Sequence, residues 1–232
     1  MPNLHVLTSN STKPVIEALI TQFAQETQQT VTIAADSAKN MLDRISNGEA
    51  GDVVVLGSGI INELANQKVI LNHPMHFATA FIGIGIKKGA PLPDITTEAA
   101  LRQTLLNSRS IAHTLYGASG QYIPTLLKRL GITEDMKHKT VTRPGGYIGS
   151  VVVTGEAELA LQQLPELLAV PDLEVIGLIP DSLQKPLLTS AGVLSRSEKV
   201  TEALAFISYM SHPQHATSFQ KNGLLQAKSL IQ

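Results

Sequence analysis

The sequence contains no cysteine among its 232 residues. This absence excludes disulfide bonds, thiolate catalysis, iron–sulfur ligation and cysteine-bound zinc, and it leaves the redox compartment undetermined. Tryptophan is absent as well, and aromatic residues make up only 4% of the chain. Few aromatics argue against a surface that stacks bases or sugars.

The chain also has no excess of positive or negative charge and no long apolar run. The chain has 18 basic and 19 acidic residues and a formal net charge of −1, which gives no electrostatic footprint for a polyanion. No apolar run reaches the roughly 18 residues of a membrane span. We therefore predict no nucleic-acid partner and no membrane insertion. The sequence begins without a basic-then-apolar leader, so either a cytoplasmic protein or one that has lost a signal peptide is compatible with it.

The residues that are present alternate between strand-like and helix-like apolar patterns. The first unit reads "LHVLT" as strand, "KPVIEALITQFAQET" as helix, "TVTIAA" as strand, "AKNMLDRISNG" as helix and "DVVVLG" as strand. "FATAFIGIGIKKG" reads as one long strand, after which the pattern restarts, and the helices "SEKVTEALAFISYMSH" and "PQHATSFQKNG" are predicted to finish the chain. Alternation of this kind predicts an α/β protein with mixed, mainly parallel sheets.

The pattern divides into two lobes. We predict that residues 1–80 and 190–232 form lobe I, and that residues 81–189 form lobe II. The chain would cross twice between them, near residues 78–84 and 186–192. Two connecting strands make a hinge, and a cleft between two lobes is a preferred site for a small ligand.

Three loops that follow predicted strands place small hydroxyl residues or glycine directly before a helix. They are "TSNST" (8–12), "AADSAKN" (34–40) and "LYGASGQ" (115–121). Taken alone, Ser9 or Ser11 would be read as a helix cap. A helix start also offers free N–H groups and a positive dipole end to an anion. Three such loops at the carboxyl ends of strands lie where α/β sheets bind ligands.

The segments "VLTSNSTKPVIEALITQF", "NGEAGDVVVL", "GASGQYIPTLLKRLG" and "GYIGSVVVTGEAELAL" together resemble the molybdate-binding branch of the type 2 periplasmic solute-binding proteins. The resemblance covers nearly the whole chain. It implies a two-lobed type 2 fold on a two-strand hinge, a small anion as ligand, a periplasmic location, a monomer, and an ABC transporter permease as a possible partner.

The family's contacts fall on particular positions of this sequence. The resemblance places the first-loop serine at Ser11, the second at Ser37, the third-loop contact at Ser119 and Gly120, and the fourth near Tyr147 or Ile148. Where molybdate binders carry a tyrosine, this chain has Gln163, with Gln162 beside it. An amide in place of that hydroxyl disfavours molybdate.

Three basic side chains, Lys39, His113 and Arg143, lie in or beside the ligand loops. Because Arg and Lys suit carboxylates, we predict a di- or tricarboxylic acid as the ligand. The alternative is that Lys39 and Arg143 are solvated surface cations and that His113 is structural. The predicted ligand-binding residues are Ser9, Asn10, Ser11, Ser37, Lys39, Ser119, Gly120, Arg143, Tyr147, Ile148 and Gln163.

Three functions remain open from the sequence. The first is a solute-binding protein, and the second is an enzyme on the same scaffold, since relatives with this loop pattern are similar to aconitate isomerase. Allylic proton transfer needs a base with a pKa near neutrality, for which His113 and Lys39 are the candidates. The third is a cytoplasmic ligand sensor. We predict no cofactor and no metal site; the "HPQH" segment, His212 to His215, lacks a further ligand and suits a helix start.

Overall fold

The computed structural model describes residues 3–71 and 74–227. The chain divides into two compact units, one formed by Met1–Ala80 with Leu188–Gln232 and the other by Phe81–Leu187. The first is called unit 1 below and the second unit 2. Each unit contains one sheet with helices packed on it, so the α/β class predicted from the sequence is confirmed.

The strands and helices are numbered in chain order. The strands are β1 Asn3–Ser9, β2 Thr30–Asp36, β3 Val53–Gly57, β4 Met75–Ala80, β5 Ile82–Lys87, β6 Ile111–Thr114, β7 Thr140–Arg143, β8 Leu159–Gln163, β9 Leu173–Leu178, β10 Leu187–Val193 and β11 Leu224–Gln226. The α-helices are α1 Lys13–Thr27, α2 Ala38–Ser46, α3 Ser58–Asn66, α4 Glu98–Asn107, α5 Ala118–Arg129, α6 Thr133–Met136, α7 Gly149–Val153, α8 Leu164–Leu168, α9 Val200–Met210 and α10 Ala216–Lys221. Two 3₁₀ turns cover Asp181–Leu183 and Pro213–His215.

The sheet of unit 1 has the strand order β11-β4-β10-β3-β1-β2. Strand β1 runs parallel to β2 and β3, whereas β10 is antiparallel to β3 and β11 is antiparallel to β4. Helix α1 buries Ile16, Leu19 and Phe23, which recur at helical spacing and therefore share one face. Phe23 packs edge to face on Phe206 of α9, with ring centroids 4.8 Å apart. The C-terminal segment thus supplies part of the core of unit 1.

The sheet of unit 2 has the order β7-β6-β8-β5-β9. Strand β6 is parallel to β7 and β8, and β5 is antiparallel to β8 and β9. The described residues contain no helix that is both long and apolar enough to cross a membrane.

Two sequence predictions of secondary structure are wrong. The stretch predicted as one long strand is two strands in different sheets, because β4 ends at Ala80 and β5 begins at Ile82. The side chain of Gln184 accepts the Ile82 N–H at 3.1 Å and donates to the Ile82 carbonyl at 2.7 Å, so it takes the place of a neighbouring strand there. The predicted last helix is also followed by a strand, since β11 comes after α10 and pairs with β4.

Asp52 connects the two chain segments that build unit 1. Its carboxylate accepts the His5 N–H at 2.8 Å and the Ser197 hydroxyl at 2.7 Å. The ammonium group of Lys199 lies 3.5 Å away. The Asp52 carbonyl accepts a further hydrogen bond from the Leu194 N–H at 3.0 Å. A buried carboxylate that accepts this many hydrogen bonds stabilises the fold, and its removal leaves the donors without an acceptor.

We expect Asp52→Ala to lower the free energy of unfolding by about 3 kcal/mol, because two part-buried hydrogen-bond donors and one ammonium group lose their buried acceptor. Asp43→Ala is the matched control, because Asp43 makes an exposed ion pair on α2, and its loss should cost below about 0.5 kcal/mol. Urea unfolding of the two variants measures the difference. Equal losses in both would contradict the connecting role of Asp52.

Candidate functional site

The loops after β1 and β2 lie side by side at one edge of the unit 1 sheet. The parallel register pairs Ser9 with Asp36, and the Asn10 N–H donates to the Asp36 carbonyl at 3.0 Å. The strands therefore end level with each other. This arrangement brings the predicted residues of the first two loops together in unit 1.

The hydroxyls of the first loop bond to one another rather than cap the helix. The Ser9 and Ser11 hydroxyl oxygens are 3.0 Å apart, and Ser9 lies 3.1 Å from the Thr12 hydroxyl. Helix α1 begins after Thr12, which makes no capping hydrogen bond with its side chain. The reading of Ser9 or Ser11 as a helix cap is therefore wrong, and the side chain of the N-cap residue Thr12 does not cap the first N–H groups of α1 either. Both serines are nevertheless buried.

Ser37 in the second loop is the N-cap of α2, where its hydroxyl accepts the Asn40 N–H at 3.3 Å. The Asp36 carboxylate accepts the Ser37 N–H at 2.7 Å, and the Arg44 guanidinium lies 3.6 Å from that carboxylate. Lys39 lies along the surface of α2, with its ammonium 2.8 Å from Asp43 and half of its side chain exposed. The Asp36 carboxylate thus already accepts the Ser37 N–H, one of the donors that an anion at the start of α2 would use.

The strand ends of unit 2 form a second polar edge. The register pairs Thr114 with Arg143 on β6 and β7. It also pairs Ala112 with Ala160 on β6 and β8, so Gln162 lies level with Thr114 two residues further along both strands. The loops after β6, β7 and β8 therefore leave the sheet at the same edge.

The turn after β6 brings the backbone very close to the start of α5. A Cβ atom at Gly120 would lie 1.7 Å from the Thr114 carbonyl oxygen, so only glycine fits there. The Ser119 and Thr114 hydroxyls are buried and have no hydrogen-bond partner among the described residues. Gly117 is the N-cap of α5 and has no side chain to satisfy the first N–H groups. This corner of unit 2 combines buried, unpaired hydroxyls with an uncapped helix start.

Gln162 holds the loop between β7 and α7. Its side-chain oxygen accepts the Ile148 N–H at 2.9 Å, and its amide nitrogen donates to the Gly146 carbonyl at 2.8 Å. The Ile148 N–H, one of the predicted ligand contacts, is thus already bonded within the protein. The side chain of Tyr147 beside it is half-buried.

The two basic side chains that were singled out in unit 2, Arg143 and His113, have different kinds of partner. Arg143 pairs with Glu156 through its guanidinium, and 43% of its side chain is exposed. Burial lowers the pKa of His113, and its Nδ1 lies 2.9 Å from the Thr114 carbonyl. Since a carbonyl can only accept, Nδ1 carries the proton of the neutral ring and Nε2 keeps the lone pair. His113 is therefore neutral at pH 7, with one nitrogen able to act as a base.

At the end of β8, the predicted Gln163 contacts a carboxyl that the sequence analysis missed. Its amide nitrogen donates to Glu166 Oε2 at 3.1 Å. Burial raises the pKa of the Glu166 carboxyl to about 8, and the hydrogen bond from Gln163 opposes that rise only in part. Glu166 is therefore mainly protonated at neutral pH. The available sequence signal is the segment "LPELL", in which one acid stands among apolar residues directly after a ligand-loop strand.

Two other polar features were missed. Thr114 ends β6 with its unpaired hydroxyl, and the hydroxyl of Ser58 at the start of α3 lies 2.8 Å from the hydroxyl of Ser190 on β10. The register that pairs Thr189 with Gly57 explains that contact, because strands far apart in sequence meet there. Such a pair cannot be found from local spacing.

The histidines of the "HPQH" segment have structural contacts. His212 accepts the Gln214 N–H through its ring at 3.3 Å and caps the 3₁₀ turn. The ring of His215 packs against Tyr209 at 4.6 Å between centroids. Residues 3–71 and 74–227 hold no group of three or more His, Cys, Asp or Glu side chains that could bind a metal ion.

Comparison with solved structures defines the class of fold. The chain is similar to the periplasmic molybdate-binding protein of Azotobacter vinelandii, with a TM-score of 0.83 and 20% sequence identity over 97% of this chain and 100% of that one. The sulfate-binding protein SubI of Mycobacterium tuberculosis H37Rv is similar with a TM-score of 0.78 and 13% identity over 99% of this chain and 88% of that one. The fold is the type 2 periplasmic-binding-protein fold, as the sequence resemblance implied.

The family follows from sequence. The profile described as "Bacterial extracellular solute-binding protein" matches residues 4–225, so this chain belongs to that family. A protein named aconitate isomerase from Pseudomonas sp. is 32% identical over 228 residues, which cover 95% of this chain and 87% of that protein. Both the solute-binding family and the similarity to an isomerase agree with the sequence resemblance.

We expect the stability of the protein to fall as the pH rises from about 4.5 to about 8 because of Glu166. The folded carboxyl keeps its proton up to about pH 8, whereas the unfolded one releases it near its ordinary pKa of 4.5. The contribution of the Glu166 carboxyl to the free energy of unfolding is therefore complete below the lower pKa. Between the two pKa values it decreases by about 1.4 kcal/mol per pH unit. Glu166→Gln removes this titration. The melting temperature of this variant should rise relative to that of the wild type as the pH rises from 5 to 8.

The matched control is Glu134→Gln, because the Glu134 side chain in the same unit is 85% exposed. Its melting temperature should follow that of the wild type at every pH. A constant difference between Glu166→Gln and the wild type across this range would show that the carboxyl does not titrate as its burial requires.

Proposed function

We propose that the protein binds a small polycarboxylic acid, of the size of a di- or tricarboxylate, rather than molybdate. The observation that carries this proposal is the 32% identity, over 95% of the chain, to a protein named for an acid of this class. The solved relatives named for molybdate and sulfate are much more distant in sequence. The family establishes solute binding as the general function.

The contacts within each unit support an anion as the ligand. Unit 1 offers the buried hydroxyls of Ser9 and Ser11 and the start of α1, which no side chain caps. Unit 2 offers the unpaired hydroxyls of Ser119 and Thr114 and the start of α5. Helix starts and hydroxyls bind anions through N–H and O–H donors.

The end of β8 supports an organic acid over a compact oxyanion. Gln163 and the neutral Glu166 carboxyl present amide and carboxyl groups, which both donate and accept hydrogen bonds. Ionised tetrahedral oxyanions and ionised carboxylates both offer acceptors only, so the difference between the two kinds of ligand lies in how far apart their acceptors are. A carbon acid with several carboxylates and an extended shape can use a broader set of partners.

Titration calorimetry with molybdate, sulfate, citrate, cis-aconitate and trans-aconitate tests the proposal. We expect at least one tricarboxylate to bind and molybdate not to bind. Ser11→Ala and Ser119→Ala should each weaken binding of the same acid about tenfold, the effect of about one hydrogen bond. Ser46→Ala is the matched control, because Ser46 is exposed at the end of α2. Failure of all three tricarboxylates to bind would overturn the proposal, and an affinity that neither serine substitution changes would contradict the proposed contacts.

A second candidate function is isomerisation of the bound acid, and the specific observation that favours it is the similarity to the relative named aconitate isomerase. Isomerisation by an allylic shift removes a proton from one carbon and returns one to another, so no oxidant is required. The reaction needs a proton acceptor of suitable pKa beside the ligand. His113 offers an unprotonated Nε2, whereas Lys39 lies on the α2 surface beside Asp43. We therefore favour His113 over Lys39 as the base.

Incubation with cis-aconitate in deuterated water distinguishes the two candidates. An isomerase forms the trans isomer and exchanges an allylic proton for deuterium, both of which proton NMR detects. His113→Asn should abolish both signals while leaving calorimetric binding within about threefold, since the asparagine amide occupies a similar place but cannot act as a base. Lys39→Ala serves as the control and should retain turnover. Binding of cis-aconitate without exchange would leave solute binding as the whole function.

The partner and the location remain part of this proposal. The family is described as extracellular, and the Azotobacter vinelandii relative is named as periplasmic. We propose delivery of the acid to an ABC transporter permease from the periplasm if the isotope experiment shows no chemistry. Growth on the bound acid and its uptake, compared between cells with and without the gene, would test that delivery.

A further inference from the structure

We propose that Glu166 is a positioning residue for the ligand, and that it serves in its protonated form by holding the side chain of Gln163 at the end of β8. This inference rests on the proposed binding of a polycarboxylate. It adds Glu166, which is not among the predicted ligand contacts, and it makes ligand binding depend on the protonation of that residue.

The geometry within unit 2 is specific. Gln163 ends β8 at the same sheet edge as the turn after β6, and it is the N-cap of α8. Its amide nitrogen donates to Glu166 at 3.1 Å, and both side chains are buried. One N–H of the amide is therefore used by Glu166, which leaves the other N–H and the amide oxygen with a fixed direction.

The neutral state of Glu166 follows from what surrounds it. Helix α8 packs on β5, β8 and β9. Within these strands the charged residues are Lys87 and Glu174, which lie at the far end of the sheet from Gln163, because Gln163 pairs with Ile82 whereas Glu174 pairs with Ile86. On its own helix Glu166 is the one ionisable residue. Burial and the Gln163 amide are the influences that set its pKa.

A negative charge at Glu166 would oppose an anionic ligand at the neighbouring Gln163. In a buried setting, two like charges a few ångströms apart repel strongly. Binding of the acid therefore requires the protonated carboxyl, and proton uptake accompanies binding wherever the free carboxyl is ionised. Polycarboxylates are fully ionised above neutral pH, so their own titration does not reproduce this dependence.

The test is calorimetry of the bound tricarboxylate between pH 6.5 and 9 with the wild type, Glu166→Gln and Glu134→Gln. The wild type and Glu134→Gln should lose about tenfold in affinity between pH 7 and 9, because one pH unit above a pKa of about 8 leaves about a tenth of the carboxyl protonated. Glu166→Gln keeps a neutral amide beside Gln163 and should bind with an affinity that does not change with pH.

Repeating the titration at pH 8.5 in two buffers of different ionisation enthalpy counts the protons. The wild type should take up about 0.8 proton per ligand, and Glu166→Gln none. This count needs only the wild type if the variant does not fold. The inference is overturned, while the proposed function stands, if the affinity of the wild type does not change with pH and no proton is taken up at pH 8.5. It is also overturned if the affinity of Glu166→Gln falls with pH as that of the wild type does. Absence of tricarboxylate binding at pH 6.5 overturns the proposed function, and this inference with it.

Discussion

Parallel pairing of neighbouring strands is the constraint on which the candidate site depends. In unit 1 it joins β1 to β2 and β3, and in unit 2 it joins β6 to β7 and β8. Parallel neighbours must be connected by a segment that returns along the sheet, and a helix meets this need in few residues. Each strand end is then followed by a helix start, and the helix starts collect at one sheet edge. The polar loops follow from topology before any ligand is considered.

Burial of polar groups at these edges has a cost that only some residues offset. Gln162 uses both ends of its amide within the protein, and Asp36 uses the Ser37 N–H. The hydroxyls of Ser119 and Thr114 remain without partners among the described residues. An unpaired buried hydroxyl costs about 1–3 kcal/mol, so a ligand that bonded to these hydroxyls would recover that energy. The contrast separates residues whose polar groups are already bonded within the protein from residues that keep an unpaired hydroxyl.

Much of the fold was predictable because it depends on local patterns. The helical spacing of Ile16, Leu19 and Phe23 indicates α1, and the change of period from strand to helix predicts the α/β class. The break at Phe81 was not predictable, because the partners of the next residue, Ile82, are far away in the sequence: it pairs with Gln163 of β8 and bonds to the side chain of Gln184. Glu166 was missed for a similar reason, since its burial depends on three strands that pack on α8. Local sequence indicates which loops are polar but not which partners their atoms already have.

The positions of the charges bear on how an anion would be stabilised. Arg143 pairs with Glu156, Lys39 with Asp43, and Arg44 with Asp36 and Glu49. Cations that already face carboxylates contribute little net positive potential at a distance. The favourable field at the two edges therefore comes mainly from helix starts and hydroxyl donors, which act over one turn of helix or a single hydrogen bond. One uncompensated buried carboxylate would cancel much of such a field, so under the proposed binding the protonation of Glu166 would matter more than it would in a site lined with arginines.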